Sequence, residues 1–211
     1  MKKALGLVIV LFAPYLITVG AAMLFMQPLS IKVEYSRPGF PPDRYGFTKA
    51  ERYRLAVIGL ESVVLPGKLD DLAAARTDDG KPAFNQREVR HMTDVRRLVA
   101  RLQALWVAMA VLAIVATFAL KEGARKYWGY GGVFTLATLV VLTLLVWWNF
   151  DWFFTEFHHL FFQGNTWLFP ETDTLIRLYP WRFWNDLTWG VGITAIVVSA
   201  LLAIYGFVAG R

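Results

Sequence analysis

Cysteine is missing from all 211 residues, which removes disulfides, thiolate metal sites and thiol nucleophiles together. Serine is nearly as scarce. Ser30, Ser36, Ser62 and Ser199 are the only ones, and none stands in the Gly-x-Ser-x-Gly elbow that presents a nucleophile. There is no glycine-rich phosphate loop and no HExxH zinc pair, nor any internal repeat or low-complexity tract. Charged residues make up only 18%, and no basic helix interleaved with exposed aromatics lies outside the apolar runs. The net charge of +6 therefore suits anchoring at a membrane surface, with no nucleic-acid partner expected.

What the chain does have is apolar continuity: 56% hydrophobic residues and a mean hydropathy of +0.43. Uncharged runs of 18 or more residues read as membrane spans, and four occur, over 4–28, 102–120, 127–150 and 187–210. They predict an all-α membrane protein, a single integral membrane domain over 1–211. Its four transmembrane helices fall near 4–27, 101–120, 127–150 and 187–209. The first run is read as a retained helix, because its apolar part exceeds the h-region of a signal peptide. Lys2, Lys3, the basic loop 121–126 and Arg211 place both termini in the cytoplasm by the positive-inside rule. Segments 29–100 and 151–186 then form an extracytoplasmic cap, helical and partly irregular. The first of these is basic, but longer than the roughly 60 residues over which the rule operates.

Within the cap, the alternation Ile31-Lys-Val-Glu-Tyr35 predicts a short strand, and the prolines of 36–43 a loop. Thr48-x-x-Glu51 is a capping box opening a helix to about Leu65, which Pro66-Gly67 ends. A short helical turn over 69–75 and a polar hairpin or loop over 77–82 follow. A helix starting near Asn85 runs unbroken into the second span. The segment 151–186 reads as mostly irregular, with turns at Gly164-Asn165 and Phe169-Pro170-Glu171 and a short helix over 173–178 stopped by Pro180.

Chemistry-bearing residues concentrate beside the apolar runs. Glu88, His91 and Asp94 recur at three-residue spacing, which stacks them on one helix face. A carboxylate on one imidazole nitrogen fixes the tautomer and raises the basicity of the other, as a general base needs. The same spacing also suits solvated pairs on an ordinary charged helix. His158-His159 lies in the aromatic passage 157–184, where rings gather at the hydrocarbon boundary. Both could simply sit at head-group level. Glu88-x-x-His91 with Glu156 and His158 has ligand-type residues, but only one copy of the Glu-x-x-His element is present, so no metal is expected. Tyr45, Arg52, Asn165, Asp173 and Arg177 are further polar candidates. Arg177 suits a phosphate or carboxylate, or snorkels to lipid. Asn165 suits an oxyanion or the turn with Gly164. Trp167, Trp181 and Trp184 read as anchors or pocket walls.

Three groups of residues together carry a family resemblance. The first is Phe157-His158-x-x-Phe161-Phe162, Trp167, Asp173-x-Leu175-Ile176 and Tyr179-Pro180-x-x-Phe183-Trp184. The second is Glu88-x-x-His91-Met92-x-Asp94-Val95, and the third Tyr45-Gly46-Phe47 ahead of Glu51-Arg52. The chain resembles, over nearly its whole length, the bacterial lipoprotein intramolecular transacylase family, formerly a domain of unknown function. The resemblance implies transfer of the sn-2 acyl chain of an N-terminal S-diacylglyceryl-cysteine to its α-amine, giving a lyso-form lipoprotein. It implies two catalytic histidines, His91 and His158, with His159 ranked lower, and neither enzyme nucleophile nor cofactor. Glu88, Asp94 and Tyr45 then support, and Arg52, Asn165, Trp167, Asp173, Arg177, Phe161 and Trp184 bind substrate. The expected partners are a diacylated lipoprotein substrate and membrane lipids, and the protein is expected in the bacterial cytoplasmic membrane, its oligomeric state open with a monomer favoured. Two rivals remain at this point: a membrane-interface ester hydrolase using the same histidines, and a non-enzymatic assembly subunit.

Overall fold

The computed structural model describes residues 2–208, and every named element among them is a helix. Arg211, expected on the cytoplasmic side, and the last residue of the fourth expected span lie outside the described residues. Among the described residues the sole β feature is an isolated bridge between Arg76 and Pro82. Two compact units divide the chain: one from the apolar runs, one from Met26–Arg101 and Asp151–Thr188.

The first unit contains α1 (Lys2–Phe25), the apolar part of α5 (Gln86–Leu120), α6 (Ala124–Trp148) and most of α9 (Trp181–Phe207). Three stretches are long and apolar enough to cross a membrane: Lys2–Phe25, Gln86–Trp148 and Trp181–Phe207. The middle one does not run straight. Lys121 takes a left-handed φ of 52°, a 3-10 turn spans Lys121–Gly123, and the Trp128 indole donates to Thr117 Oγ1 at 3.0 Å. Eleven residues of continuous helix would separate those side chains by roughly 16 Å, so the chain folds back at the turn.

Close backbone approach holds this unit together. A Cβ on Gly132 would come within 2.5 Å of the Ser199 carbonyl, and one on Gly129 within 2.8 Å of Gly206. Ala13, Ile17 and Ala21 pack with Leu139 and Ala195. Long side chains such as Leu11, Phe118, Val140, Leu144 and Leu201 stay exposed on its surface, as lipid contact requires.

The second unit comprises α2 (Pro28–Ser36), α3 (Lys49–Val64), α4 (Leu69–Ala74), the charged start of α5, α7 (Phe150–Phe161), α8 (Thr174–Leu178) and the opening turns of α9. Its core gathers Ile31, Leu55, Leu72, Leu175, Leu178 and Phe183. Each fully buried side chain of this size contributes roughly 1.5–3 kcal/mol. Leu55, Gly59, Ser62 and Val63 form the inward stripe of α3. At Gly59 a Cβ would meet the Tyr179 hydroxyl at 2.6 Å. That hydroxyl donates to the Ala56 carbonyl, so the glycine makes room for the bond.

Two expectations are corrected here. The alternating segment 31–35 is helical, not a strand. Pro28 stands at the first helical position, no second strand is near to pair with, and a helix satisfies its own backbone. The segment 151–186 is mostly helical, not irregular. Phe150, Phe153, Phe154, Phe157 and Phe161 recur at three- and four-residue spacing, the period of α7. The Thr48 cap forms, with Oγ1 accepting from Glu51 N at 3.1 Å. The Glu51 carboxylate, however, turns to the Asp78 amide at 2.7 Å instead of back to Thr48.

Candidate active site

His91 and His158 meet within the second unit. Their ring centroids lie 6.4 Å apart and their planes within 20°. The charged opening of α5, ahead of its uncharged run, carries His91, and the last turn of α7 carries His158. Phe162 packs on both rings, at 5.2 and 5.6 Å, and Phe169 closes on His91 at 5.3 Å. Trp167 lies 4.5 Å from the His158 ring, and Phe154 4.2 Å from it. The pair is therefore set in a wall of aromatic rings.

This enclosure decides protonation. Burial, then the neighbouring His158 ring, lowers His91 to about 4, against a small opposing pull from Asp94. Burial also lowers His158, partly offset by its bond to the Phe154 carbonyl. Both imidazoles are thus neutral at pH 7. His158 Nδ1 lies 2.7 Å from the Phe154 carbonyl oxygen. That oxygen can only accept, so Nδ1 carries the proton and Nε2 keeps its lone pair. His91 Nδ1 is buried without a hydrogen-bond partner, and so is Trp167 Nε1.

The other candidates scatter in role. Glu88 does not orient His91. Its carboxylate accepts from the Asn85 amide and the Leu175 amide, at 2.8 and 2.7 Å, and Asn85 Oδ1 accepts from Glu88 N in return. This is a capping box that also pins α8 to α5. Burial raises the Glu88 carboxyl despite those bonds. Asp94 pairs with Arg97 at 3.0 Å. His159 is exposed beside Glu156 at 3.7 Å.

Arg52 and Arg177 are structural ties. The buried Arg52 guanidinium donates to the Arg177 and Pro41 carbonyls and lies over Tyr35 and Phe40. Arg177 forms a fork on Asp43 at 2.9 and 3.0 Å, covering Phe47 and Tyr45. Burial pushes the Asp43 carboxyl up, but the Arg177, Phe47 and Tyr45 hydrogen bonds bring it below its usual range. Tyr45 also reaches Glu171 at 3.5 Å. Asp173 pairs with Arg87 at 2.7 Å, and Arg87 covers Phe169. Phe161 packs tilted against Phe157, while Trp184 packs on Tyr179, Phe183 and Phe154.

Asn165 lines a cleft of about 420 Å³ with Gln86, Arg87, Arg90 and Thr166, next in sequence to both His91 and Trp167. Among the described residues no three metal-ligating groups converge. Sequence reasoning missed Asp43, Arg87, Phe154 and Phe169. Of these, Asp43 alone carried a signal, its position two residues before Tyr45 being that of an Asx turn.

The family model described as lipoprotein intramolecular transacylase Lit matches residues 6–184. A protein of Aquifex aeolicus, described only as uncharacterized, is 34% identical over 206 residues, 98% of this chain and 94% of that one. The structure of the membrane-integral lipoprotein intramolecular transacylase Lit from Bacillus cereus is similar in fold. The match has a TM-score of 0.73 and 18% identity, over 96% of this chain and 92% of that one. A variant of the same protein with a histidine replaced by alanine matches with a TM-score of 0.68 and 19% identity, over 99% and 94%.

Proposed function

This chain belongs to the lipoprotein intramolecular transacylase family, a membrane acyltransferase, and we propose that His91 and His158 catalyse its transfer on a diacylated lipoprotein. The reaction moves the sn-2 acyl chain of the S-diacylglyceryl-cysteine to the cysteine α-amine. The observation that carries the reading is the neutral pair itself, two imidazoles 6.4 Å apart in an aromatic enclosure. General acid and base each need to stand about 2.6–3.2 Å from the atom they serve, and a pair at this spacing can flank one reacting centre.

The steps follow from the hydrogen bonds. The amine lone pair attacks the ester carbonyl carbon, and its proton passes to His158 Nε2, the nitrogen left free by the Phe154 carbonyl. The carbonyl oxygen becomes an oxyanion. Collapse breaks the bond to the glycerol oxygen, which takes the proton from the His158 imidazolium while the neutral His91 imidazole hydrogen-bonds to it. The products are an amide and a free glycerol hydroxyl, and both imidazoles end the cycle neutral. Because amine and ester belong to one molecule, orientation supplies much of the rate; such reactions reach effective molarities of roughly 10⁵–10⁸ M. The reading of His158 rather than His91 as base is supported by Glu88 and Asp94 being engaged elsewhere.

The membrane arrangement is part of the proposal. Reversal at Lys121–Gly123 makes the Gln86–Trp148 stretch cross twice, giving four spans in one integral domain. Lys2, Lys3 and the basic turn 121–126 face the cytoplasm, and the site lies on the extracytoplasmic side of the bacterial cytoplasmic membrane. The aromatic rings around the pair serve as walls for acyl chains, and the cleft at Asn165 and Arg90 receives the peptide that follows the cysteine. The protein acts as a monomer without a cofactor.

A diacylated lipopeptide incubated with the purified protein keeps its mass while fragmentation moves one acyl chain to the amine. Loss of an acyl mass would instead mean hydrolysis. His91→Ala and His158→Ala each lower turnover by about 10²–10⁴, and full activity in both would end this reading.

A further inference from the structure

Trp167 stands out because its indole N–H has nothing to bond to. Nε1 is buried without an acceptor, although three other tryptophan and tyrosine donors of the same unit are paired. Tyr179 and Tyr35 donate to carbonyls, and the Trp181 indole to Asp151. Leaving a buried donor unmet costs about 1–3 kcal/mol. The position of this one indicates what could meet it. The indole packs 4.5 Å from the His158 ring, with His159 and Phe154 as its other ring neighbours. None of these three presents an acceptor to Nε1.

A tetrahedral oxyanion needs a donor fixed before reaction in a place without water, so that no reorganisation is required as charge develops. The two histidines are already engaged on the proposed path, His158 with the amine and His91 with the glycerol oxygen. Neither is left for the former carbonyl oxygen. We propose that the Trp167 Nε1–H is that donor: it hydrogen-bonds the oxygen of the acyl group as the amine adds and releases it as the carbonyl re-forms. The indole neither gains nor loses a proton. This rests on the reading of His91 and His158 as the acid–base pair, and it turns an apparent wall residue into one that touches the reacting atoms.

Trp167→Phe keeps a ring in the wall and deletes only the donor. Its kcat on the diacylated lipopeptide falls about a hundredfold, the scale of losing one oxyanion donor. KM and thermal midpoint stay near those of the parent. Trp167→His, which restores a ring N–H, recovers part of the loss although it packs less well. A lipopeptide analogue with a phosphonate in place of the sn-2 ester mimics the tetrahedral state. The parent protein binds it more tightly than the matching ether, and Trp167→Phe loses that preference. Should Trp167→Phe fold poorly, the analogue comparison on whatever folded fraction remains still decides the matter. A kcat within threefold of the parent, no rescue by histidine, or an unchanged phosphonate preference overturns the assignment. The parent protein run in parallel separates the outcomes. No acyl migration there defeats the two-histidine reading itself, whereas migration there with an unaffected Trp167→Phe defeats only the donor.

Discussion

The two units of this chain solve the same problem of helix association with opposite materials. In the apolar unit small residues let backbones touch, as at Gly129 with Gly206 and Gly132 with Ser199. Its side-chain bonds come from neutral groups, as when Tyr15 donates to the Leu102 carbonyl and Trp106 to the Leu16 carbonyl. In the other unit buried charge and side-chain-to-backbone bonds fasten the elements: Glu88 to Leu175, Arg52 to Pro41, Arg177 to Asp43. The difference follows from solvent. Lipid tails are as apolar as leucine, so no hydrophobic force joins spanning helices and close packing must do it. Beside water, burial drives collapse, and polar groups taken inside must be partnered. Chemistry is placed in the second unit, where polar side chains can be held in fixed orientations.

The sharpest way to break the comparison is to enlarge a glycine of the apolar unit. Gly132→Leu forces a side chain against the Ser199 carbonyl and the Ala203 amide, atoms of backbone that cannot rotate aside. We expect a loss of about 3 kcal/mol or more, seen as collapse of the monodisperse peak in detergent. A variant that stays folded with an unchanged thermal midpoint would show that this contact does not hold the unit. Next in size is Glu88→Ala, which leaves the Asn85 and Leu175 amides unmet. The expected cost is about 2–4 kcal/mol in thermal unfolding. Turnover should fall less than tenfold at temperatures where the fold persists, because the carboxylate ties helices rather than serving His91. A loss as deep as that of His91→Ala, with an intact fold, would restore its orienting role.

The last effect, felt only below neutral pH, is the pH dependence of stability. Unfolded, His91 takes up a proton near pH 6.5; folded, it resists until about 4. Between those values the unfolded state binds more protons, so stability declines as pH drops through that window and is full above it. The contribution is up to roughly 3 kcal/mol, at 1.36 kcal/mol per unit. His91→Gln should flatten that acid slope in thermal scans from pH 7 to 4, and an equal slope in both proteins would place the histidine in water.

Much of the architecture was legible from residues alone because it rests on local properties. Apolar runs, the Thr48 cap, the Pro66-Gly67 stop and the unbroken pattern from Asn85 into the second run depend on neighbours within a few positions. The errors share a cause as well. Ile31–Tyr35 alternates as a strand does, but only a pairing partner makes a strand, and none is near. In α7 nearly every residue is large and aromatic, which hides a three-to-four spacing. At the site, His91 and His158 were recognisable as chemistry, whereas the bonds that Glu88, Arg52 and Arg177 make to distant backbone and to Asp43 were not legible. A carboxylate three residues from a histidine, or an arginine near a membrane, looks the same whether it serves substrate or backbone.

By itself, then, the sequence determined the helical membrane class through composition and periodicity, and its motifs pointed to the family and to two histidines as candidates. The tertiary structure decided which imidazole keeps a free lone pair, which carboxylate is spent on a cap, and which indole is left without an acceptor. Those are questions of who stands within about 3 Å of whom. They are settled by packing segments far apart in the chain, so that the Phe154 carbonyl, the Leu175 amide and the Trp167 ring arrive together at one place.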